Sequence, residues 1–346
     1  MRIAIVNNQA PFVRGGAELL AEWLDKRLQA AGHVSQVIRI PFSWRTPQRV
    51  LESMLAVRLL ELHEADRVIA LKFPAYYVRH DDKVLWLLHQ FRQAYELRGT
   101  EYDALGATPE ADAIAHAVAD ADTHLLTEAR AIFTNSKVVR QRLVRTTGIE
   151  AEVLYPPLGD ESGLRCDSWG DYVFCPARLS GSKRQVLLVE ALGRTRSDVR
   201  LVLAGPPDSR LDLEAVERAI ERCGVGDRVE LLADWISEER KRDLFANALA
   251  CAYIPYDEDS YGYVSLEAFH SHKPVITCSD SGGTLELVED EVTGLVTEPD
   301  ASALADAFDR LRRNPAAARD MGEAGYERMR DLRITWDHVV NRLTAP

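Results

Sequence analysis

The feature that most constrains the fold is an alternation of short β-rich runs with amphipathic, helix-length segments, which occurs twice along the 346 residues. The run Arg2–Val6, for example, precedes Gly16–Ala31, whose apolar residues recur at helical spacing and which stops at Gly32. Alternation of this kind places parallel strands in one sheet with helices on both faces. The sequence therefore predicts an α/β protein with doubly wound sheets.

A break in the alternation divides the chain. Residues 155–170 contain two prolines and three glycines without apolar periodicity, which is typical of a linker. The alternation restarts at Tyr172, so we predict two domains, residues 1–160 and 161–325, followed by a terminal segment, 326–346. Doubly wound sheets bind ligands at the carboxyl ends of their strands, and a cleft between two such domains would draw residues from both.

Composition excludes several classes of protein. The 54 acidic and 42 basic residues give a net charge of −12, which argues against nucleic-acid binding. No apolar run approaches the ~18 residues that cross a bilayer, and the first residues do not resemble a signal peptide. The five cysteines are isolated and form no Cys-x-x-Cys pair, so we expect reduced thiols and a cytoplasmic protein.

Two basic residues follow the first strand of the second domain. Arg178 and Lys183 lie five residues apart in the loop after Tyr172–Cys175, where side chains face the ligand crevice. Two cations at this place could neutralise a diphosphate, Arg through its planar fork and Lys as a point charge. The alternative is a solvated surface loop.

A second group surrounds the start of a later helix. Asp259 lies in a polar loop, Gly262 opens an amphipathic helix, and Glu267 lies more than one turn into that helix. Free amides at a helix start favour an anion, and a glycine lets a ligand approach the backbone. The alternative is an acidic loop followed by a solvated helical glutamate.

Three weaker candidates also follow predicted strands. The pair Gly282-Gly283 could form an anion-binding nest or a tight structural turn. Gly15-Gly16 could hold a phosphate at a helix start, although the turn lacks the Gly-x-Gly-x-x-Gly pattern of dinucleotide binding. His89 ends a strand at the crevice edge, where it could serve either structure or catalysis.

Together these residues resemble the family 4 retaining glycosyltransferases, which have the GT-B architecture of two Rossmann-like domains facing across a cleft. The resemblance covers nearly the whole chain and rests on order and spacing. It is carried by Gly15-Gly16, His89, Arg178 with Lys183, Asp259 with Glu267, and Gly282-Gly283 with Glu286. It implies an N-terminal acceptor-side domain, a C-terminal donor domain, and a C-terminal helix, 326–346, that packs back towards the first domain.

The resemblance also implies roles for individual residues. It assigns catalysis to Arg178, Lys183, Asp259 and His89, with the two cations on the donor diphosphate, Asp259 on the transferred sugar, and His89 with Gly16 on the acceptor side. Glu267 would bind the ribose, and Trp235 with Ile236 would border the base. The donor-binding residues implied in full are Gly15, Gly16, Gly205, Trp235, Ile236, Gly262, Tyr263, Val264, Glu267, Gly282 and Gly283.

The resemblance further implies sugar transfer with retention from a UDP- or GDP-sugar, without a bound cofactor. Because Arg178, Lys183 and a helix start can supply the positive charge, we also expect no metal requirement. The acceptor would be a carbohydrate, a lipid-linked or a small molecule. Asp259 replaces the commoner Glu, and His272 replaces a Gly where a left-handed conformation is expected. The same fold also serves epimerases and inverting transferases, and a non-catalytic sugar-nucleotide-binding partner is a further alternative.

Membrane contact is expected to be peripheral at most. The segment from Lys137 to Arg145 is a basic amphipathic helix that could rest on anionic lipid. Its other interpretation is a solvated helix face with a buried apolar stripe.

Overall fold

The computed structural model describes residues 1–9, 15–43, 46–100 and 102–346. These residues form two compact units. Unit 1 contains Met1–Gly159 together with Ile334–Pro346, and unit 2 contains Asp160–Arg333.

Unit 1 is built on one sheet of six parallel strands in the order β2-β1-β3-β4-β5-β6. Its strands are β1 (Arg2–Gln9), β2 (Val34–Pro41), β3 (Arg67–Ala70), β4 (Lys83–Leu87), β5 (Ala131–Thr134) and β6 (Glu152–Val153). Its first four helices are α1 (Gly16–Ala30), α2 (Pro47–Arg58), α3 (Pro109–Leu125) and α4 (Lys137–Thr147). The predicted doubly wound architecture is confirmed for this half of the chain.

Burial explains why these segments alternate. The central strands are buried on both faces, as Arg67–Ala70 and Lys83–Leu87 show along their whole length, so they are apolar runs rather than alternating ones. The helices show one apolar stripe each. Helix α4 begins at a side-chain cap, because the Ser136 hydroxyl accepts a hydrogen bond from the Val139 amide and supplies a first-turn donor with a partner.

Unit 2 has a second parallel sheet of six strands in the order β12-β11-β10-β7-β8-β9. Its strands are β7 (Tyr172–Pro176), β8 (Arg200–Ala204), β9 (Val229–Leu232), β10 (Ala250–Ala252), β11 (Val275–Cys278) and β12 (Gly294–Thr297). Its helices are α5 (Gln185–Leu192), α6 (Arg210–Cys223), α7 (Glu238–Asn247), α8 (Gly262–His270), α9 (Ala301–Arg313) and α10 (Pro315–Asp331).

One strand of unit 2 was absent from the sequence prediction. β12 has four residues, Gly294–Thr297, and only two of them, Leu295 and Val296, are apolar, which is too weak a pattern to indicate a strand. Its identity comes from pairing, since it lies parallel to Val275–Cys278. Gly294 is required there, because a Cβ on this residue would lie 2.0 Å from the Val275 carbonyl oxygen.

The predicted C-terminal boundary requires correction. Helix α10 runs to Asp331 within unit 2, so residues 326–333 do not leave it. A separate helix, α11 (Trp336–Thr344), belongs to unit 1, where its buried face joins the core under β1 and β4. The Trp336 indole N–H donates to the Leu158 carbonyl at 2.6 Å.

Two further expectations from the sequence concern His272 and the linker. His272 adopts the predicted left-handed conformation, with φ of 51°. The predicted linker, 155–170, contacts the units on both of its sides, because Leu158 is buried in unit 1 and the Gly170 amide donates to Asn247 of unit 2.

Candidate active site

The strand order of unit 2 fixes where a ligand can bind. β7 is followed by β8 on one side, whereas β10, its other neighbour, leads to β11 in the opposite direction. Ligands of open α/β sheets bind where the strand order reverses in this way, outside the carboxyl ends of the strands. Lys183 follows β7 and Asp259 follows β10, so two predicted site residues flank this switch point.

Three segments meet at this edge of the sheet: the Lys183 loop (residues 177–184), the acidic loop (255–261) and the Gly-Gly turn (279–286). Backbone hydrogen bonds join them. The Tyr256 amide donates to Ser182 at 2.8 Å, the Asp257 amide to Asp280 at 2.9 Å, and the Gly283 amide to Glu258 at 2.8 Å. These backbone hydrogen bonds hold the three segments together.

Arg184 adds a side-chain connection that the sequence analysis missed. Its guanidinium forms a two-pronged contact with Asp280, at 2.8 Å for each nitrogen, and donates to the Ile254 carbonyl at 2.7 Å. Its φ is +56°, an uncommon conformation for a residue other than glycine. The arginine therefore connects the ends of β7, β10 and β11, directly beside Lys183.

The Lys183 ammonium lies at the centre of the three segments. It donates to the Tyr253 hydroxyl at 3.0 Å, pairs with the Glu258 carboxylate, and lies 5.1 Å from the centroid of the Tyr253 ring. Burial opposes its charge, but Tyr253 and Glu258 together outweigh burial, so the pKa of Lys183 lies above its ordinary value. The residue is a permanently charged, partly buried cation.

Three glycines make the close approach of these segments possible. A Cβ on Gly282 would lie 2.4 Å from the Glu258 carbonyl oxygen, and one on Gly283 would lie 2.6 Å from the Ser260 Cα. Gly262 has φ of +69°, and a Cβ there would lie 2.3 Å from the Tyr253 ring. The sequence analysis expected a ligand to approach the backbone at Gly262, whereas in the structure the Tyr253 ring occupies that space.

Arg178 lies in the same loop as Lys183 but has a different partner. Its side chain is half exposed and pairs with Asp208, which follows β8. Gly205 lies beneath this loop at the end of β8, with φ of +147° and the Ala177 carbonyl oxygen 2.6 Å from the position of a Cβ. Gly205 thus supports the Lys183 loop through its backbone.

Glu267 is paired inside unit 2. Its carboxylate accepts from the Lys241 ammonium at 2.7 Å, and 15% of its side chain is exposed. Burial raises the pKa of Glu267 above its ordinary value, although Lys241 opposes the shift. Lys241, on α7, was not identified from the sequence, because nothing in its local pattern connects it with a residue 26 positions away.

The remaining predicted donor residues of unit 2 lie in the acidic loop, in the first turn of α8 and in the loop after β9. Asp259 is half-buried in the acidic loop, and Tyr263 and Val264 are half-buried in the first turn of α8. Burial raises the pKa of the Tyr263 hydroxyl. Trp235, in the loop after β9, is 71% exposed, and Ile236 beside it is half-buried. An indole this exposed is available as a flat stacking surface.

His89 belongs to unit 1 and follows β4, as predicted. Its Nδ1 lies 2.6 Å from the Gln90 carbonyl, which can only accept, so Nδ1 carries the hydrogen and Nε2 the lone pair. Burial and the nearby Lys72 lower the pKa of His89 to about 4. The imidazole is therefore neutral near pH 7. Gln90 in turn donates to the buried Asp122 at 2.9 Å, which fixes the strand end.

Gly15 and Gly16 begin α1 in unit 1, while the neighbouring Arg14 lies outside the described residues. The Gly15 amide donates to the Glu18 carboxylate at 2.8 Å, and Glu18 pairs with Lys72 at 2.8 Å. One amide of the proposed phosphate cradle is thus already used by a buried carboxylate. The assignment of both glycines to donor binding remains a prediction.

The basic helix α4 has a buried stripe, which agrees with its interpretation as a solvated helix packed against the core. Val139, Arg142 and Leu143 are buried, Arg142 pairs with Glu96 at 3.2 Å, and Arg140 pairs with Glu150.

Across the four described ranges, no helix is both long and apolar enough to cross a membrane. Within those ranges there is also no cluster of three or more His, Cys, Asp or Glu side chains positioned to hold a metal ion.

Comparison with known proteins shows a family similarity in the second half of the chain. Residues 167–328 match the family model described as glycosyl transferases group 1. The chain is 33% identical over 168 residues to alpha-1,3/1,6-mannosyltransferase ALG2 of Homo sapiens, covering 44% of this chain and 39% of the relative. It is 32% identical over 219 residues to alpha-maltose-1-phosphate synthase of Mycolicibacterium smegmatis, covering 59% and 55%. The chain thus spans about two fifths to just over half of these relatives' length.

Solved structures extend the comparison to the fold. Sucrose-phosphate synthase from Thermosynechococcus elongatus superposes with a TM-score of 0.77 at 20% identity, covering 99% of this chain and 97% of that one. Anabaena HepE in complex with UDP-glucose gives 0.75 at 17% identity, covering 99% and 98%. Residues 167–328 are therefore similar to the glycosyl transferases group 1 family, the family 4 type of glycosyltransferase, and the chain has the GT-B fold.

Proposed function

We propose that this protein transfers a sugar from a nucleoside diphosphate sugar to an acceptor hydroxyl, with retention of anomeric configuration and without a metal ion. The observation that carries the proposal is the partly buried Lys183 ammonium at the switch point of unit 2. A UDP- or GDP-sugar is the proposed donor, since the ALG2 relative is a mannosyltransferase and HepE binds UDP-glucose.

The chemical problem is the negative charge that grows on the diphosphate as the anomeric C–O bond breaks. In this proposal Lys183 and Arg178 supply fixed positive charge, and the first amides of α8, near Gly262, add the partial positive charge of a helix start. Arg178 would exchange Asp208 for the donor phosphate. These groups replace the metal ion that other transferases use.

Contacts to the rest of the donor follow the same logic. Glu267 would accept hydrogen bonds from the ribose hydroxyls, and the exposed Trp235 would stack on the base. Asp259 would contact the sugar, with a reach about one methylene shorter than a glutamate at this position. Retention is proposed to use a donor phosphate oxygen to take the acceptor proton, so no side-chain nucleophile is required.

His89 is proposed to contact the acceptor. Because Nδ1 carries the hydrogen and the pKa is about 4, Nε2 can accept a hydrogen bond from a hydroxyl near pH 7 without becoming charged. The acceptor itself is proposed to be a carbohydrate, lipid-linked or small-molecule hydroxyl.

The test begins with thermal unfolding in the presence of UDP-glucose, GDP-mannose and ADP-glucose, because a bound donor raises the apparent stability. The stabilising donor is then incubated with the protein in EDTA, and released nucleoside diphosphate is measured. We expect slow donor hydrolysis by the wild type and at least about a hundredfold loss in Lys183→Ala. Activity that vanishes in EDTA and returns with magnesium would contradict the metal-free mechanism, and binding without hydrolysis would favour a non-catalytic partner.

A further inference from the structure

We propose that the Glu258 carboxylate occupies the Lys183 ammonium in the donor-free protein and that a nucleoside diphosphate must displace it. Glu258 thereby sets the affinity for the donor. This inference rests on the proposed function, because it takes Lys183 as the partner of the diphosphate.

The geometry makes Glu258 and a diphosphate competitors for the same cation. The Glu258 carboxylate pairs with the Lys183 ammonium, and both side chains are largely buried, with 26% and 19% exposed. Charges that are partly buried are screened less by salt than exposed ones. A carboxylate left beside an incoming diphosphate would repel it, since like charges within ~4–6 Å disfavour each other. Donor binding therefore requires the carboxylate to move.

The backbone of Glu258 is held, so the movement belongs to the side chain. Its carbonyl accepts from the Gly283 amide at 2.8 Å, and a Cβ on Gly282 would lie only 2.4 Å from the same carbonyl oxygen. The preceding Asp257 amide donates to Asp280 at 2.9 Å. A change of side-chain rotamer releases Lys183 without moving the acidic loop, which also carries Asp259.

Tyr253 keeps Lys183 in place during this exchange. Its hydroxyl accepts from the ammonium at 3.0 Å, and its ring packs against Gly262 at the start of α8. The ammonium therefore does not need to follow the departing carboxylate. The exchange replaces one anion by another around a fixed cation.

The size of the effect follows from the population of the open state. If Glu258 occupies Lys183 in about nine of ten donor-free molecules, the apparent Kd is about tenfold higher than that of the open site. A Glu258→Gln substitution removes the charge but retains an oxygen that can accept from Tyr253, which lies 3.3 Å from the present carboxylate. The variant should therefore bind nucleoside diphosphate about tenfold more tightly.

The experiment is calorimetric titration of UDP and of GDP into four full-length proteins: wild type, Glu258→Gln, Lys183→Ala and Glu291→Gln. Glu291 is the matched control, because it pairs with Arg310 at 2.7 Å on the surface of the same unit. Circular dichroism and thermal unfolding establish that each variant is folded. We expect a Kd about tenfold lower for Glu258→Gln, an unchanged Kd for Glu291→Gln, and weakened binding for Lys183→Ala.

The outcomes separate this inference from the proposed function. If the wild type binds and Lys183→Ala does not, but Glu258→Gln binds no more tightly than wild type, the inference is wrong and the proposed function stands. Binding detected only in Glu258→Gln would support both. If neither nucleotide binds to wild type or Glu258→Gln, the proposed function fails and the inference fails with it.

Discussion

Replacing Gly283 with alanine should displace the acidic loop and weaken donor binding while leaving the rest of unit 2 folded. The new Cβ would lie 2.6 Å from the Ser260 Cα and 2.7 Å from its carbonyl carbon. Carbon atoms in contact are normally ~3.5–4.0 Å apart, so the loop must retreat by about 1 Å. The obstructing atoms belong to the backbone, so no side-chain rotation relieves the clash.

The expected magnitudes differ for stability and for function. Overpacking of this kind costs about 1–3 kcal/mol, which lowers Tm by roughly 2–4 °C per kcal/mol for a unit of this size. A displacement of about 1 Å in groups that contact the donor costs on the order of a hundredfold in turnover. Turnover on the stabilising donor and the Kd of its nucleoside diphosphate measure the functional effect, and thermal unfolding measures the structural one.

Gly226→Ala is the matched control. Its Cβ would meet only Ile220, at 3.9 Å, so we expect no change in turnover or in stability beyond about 0.5 kcal/mol. If Gly283→Ala kept donor affinity and turnover within twofold of wild type, the close packing of the Gly-Gly turn against the acidic loop would not matter for the site, and the reasoning would be refuted.

Three further predictions concern single groups. The pKa of His89 falls from 6.5 to about 4 on folding, so the unfolded state binds the proton first as the pH is lowered. Wild type should therefore lose ~3 kcal/mol of unfolding free energy relative to His89→Gln between about pH 6.5 and pH 4. Denaturant titrations that give the same pH dependence of unfolding free energy for both proteins would contradict this. Lys241→Met removes the cation that opposes the raised pKa of Glu267, so the Glu267 carboxylate should become protonated at a higher pH than in wild type. As the pH is lowered, donor affinity should therefore begin to fall at a higher pH in the variant. Coincident pH profiles of donor affinity would exclude the ionised Glu267 as a donor contact. Trp235→Ala should weaken UDP binding by about 1–3 kcal/mol without affecting pyrophosphate binding or Tm, and an equal loss for both ligands would exclude base stacking.

The sequence predicted the fold well where burial imposes a pattern. The predicted runs Arg2–Val6 and Tyr172–Cys175 lie within the strands Arg2–Gln9 and Tyr172–Pro176, because continuous apolar runs between turn residues have few other uses in an α/β chain. The strand Gly294–Thr297 was missed because it begins with a glycine and contains only two apolar side chains, Leu295 and Val296. The boundary at 326 was placed inside helix α10, because no linear pattern shows that α10 packs in unit 2 and α11 in unit 1.

The site was predictable in its anchor residues but not in its partners. Lys183, Asp259 and the Gly-Gly turn follow parallel strands, and topology brings such positions to one edge. The partners Glu258, Lys241 and Asp208 are set by side-chain directions that no linear pattern encodes. Glu258 in particular was not identified from the sequence, where it is one of three consecutive acidic residues. Its pairing with Lys183 appears only when the Gly-Gly turn positions the acidic loop.

The central claim is that a nucleoside diphosphate sugar reacts at a cation of the protein, without metal and with retention. Proton NMR of wild type with the stabilising α-linked donor in EDTA tests it most directly, because it follows donor loss and the anomeric configuration of the released sugar together. We predict that nucleoside diphosphate and the α anomer appear first, before mutarotation, and that Lys183→Ala releases neither. Release of the β anomer first, or no release until magnesium is added, would contradict the account.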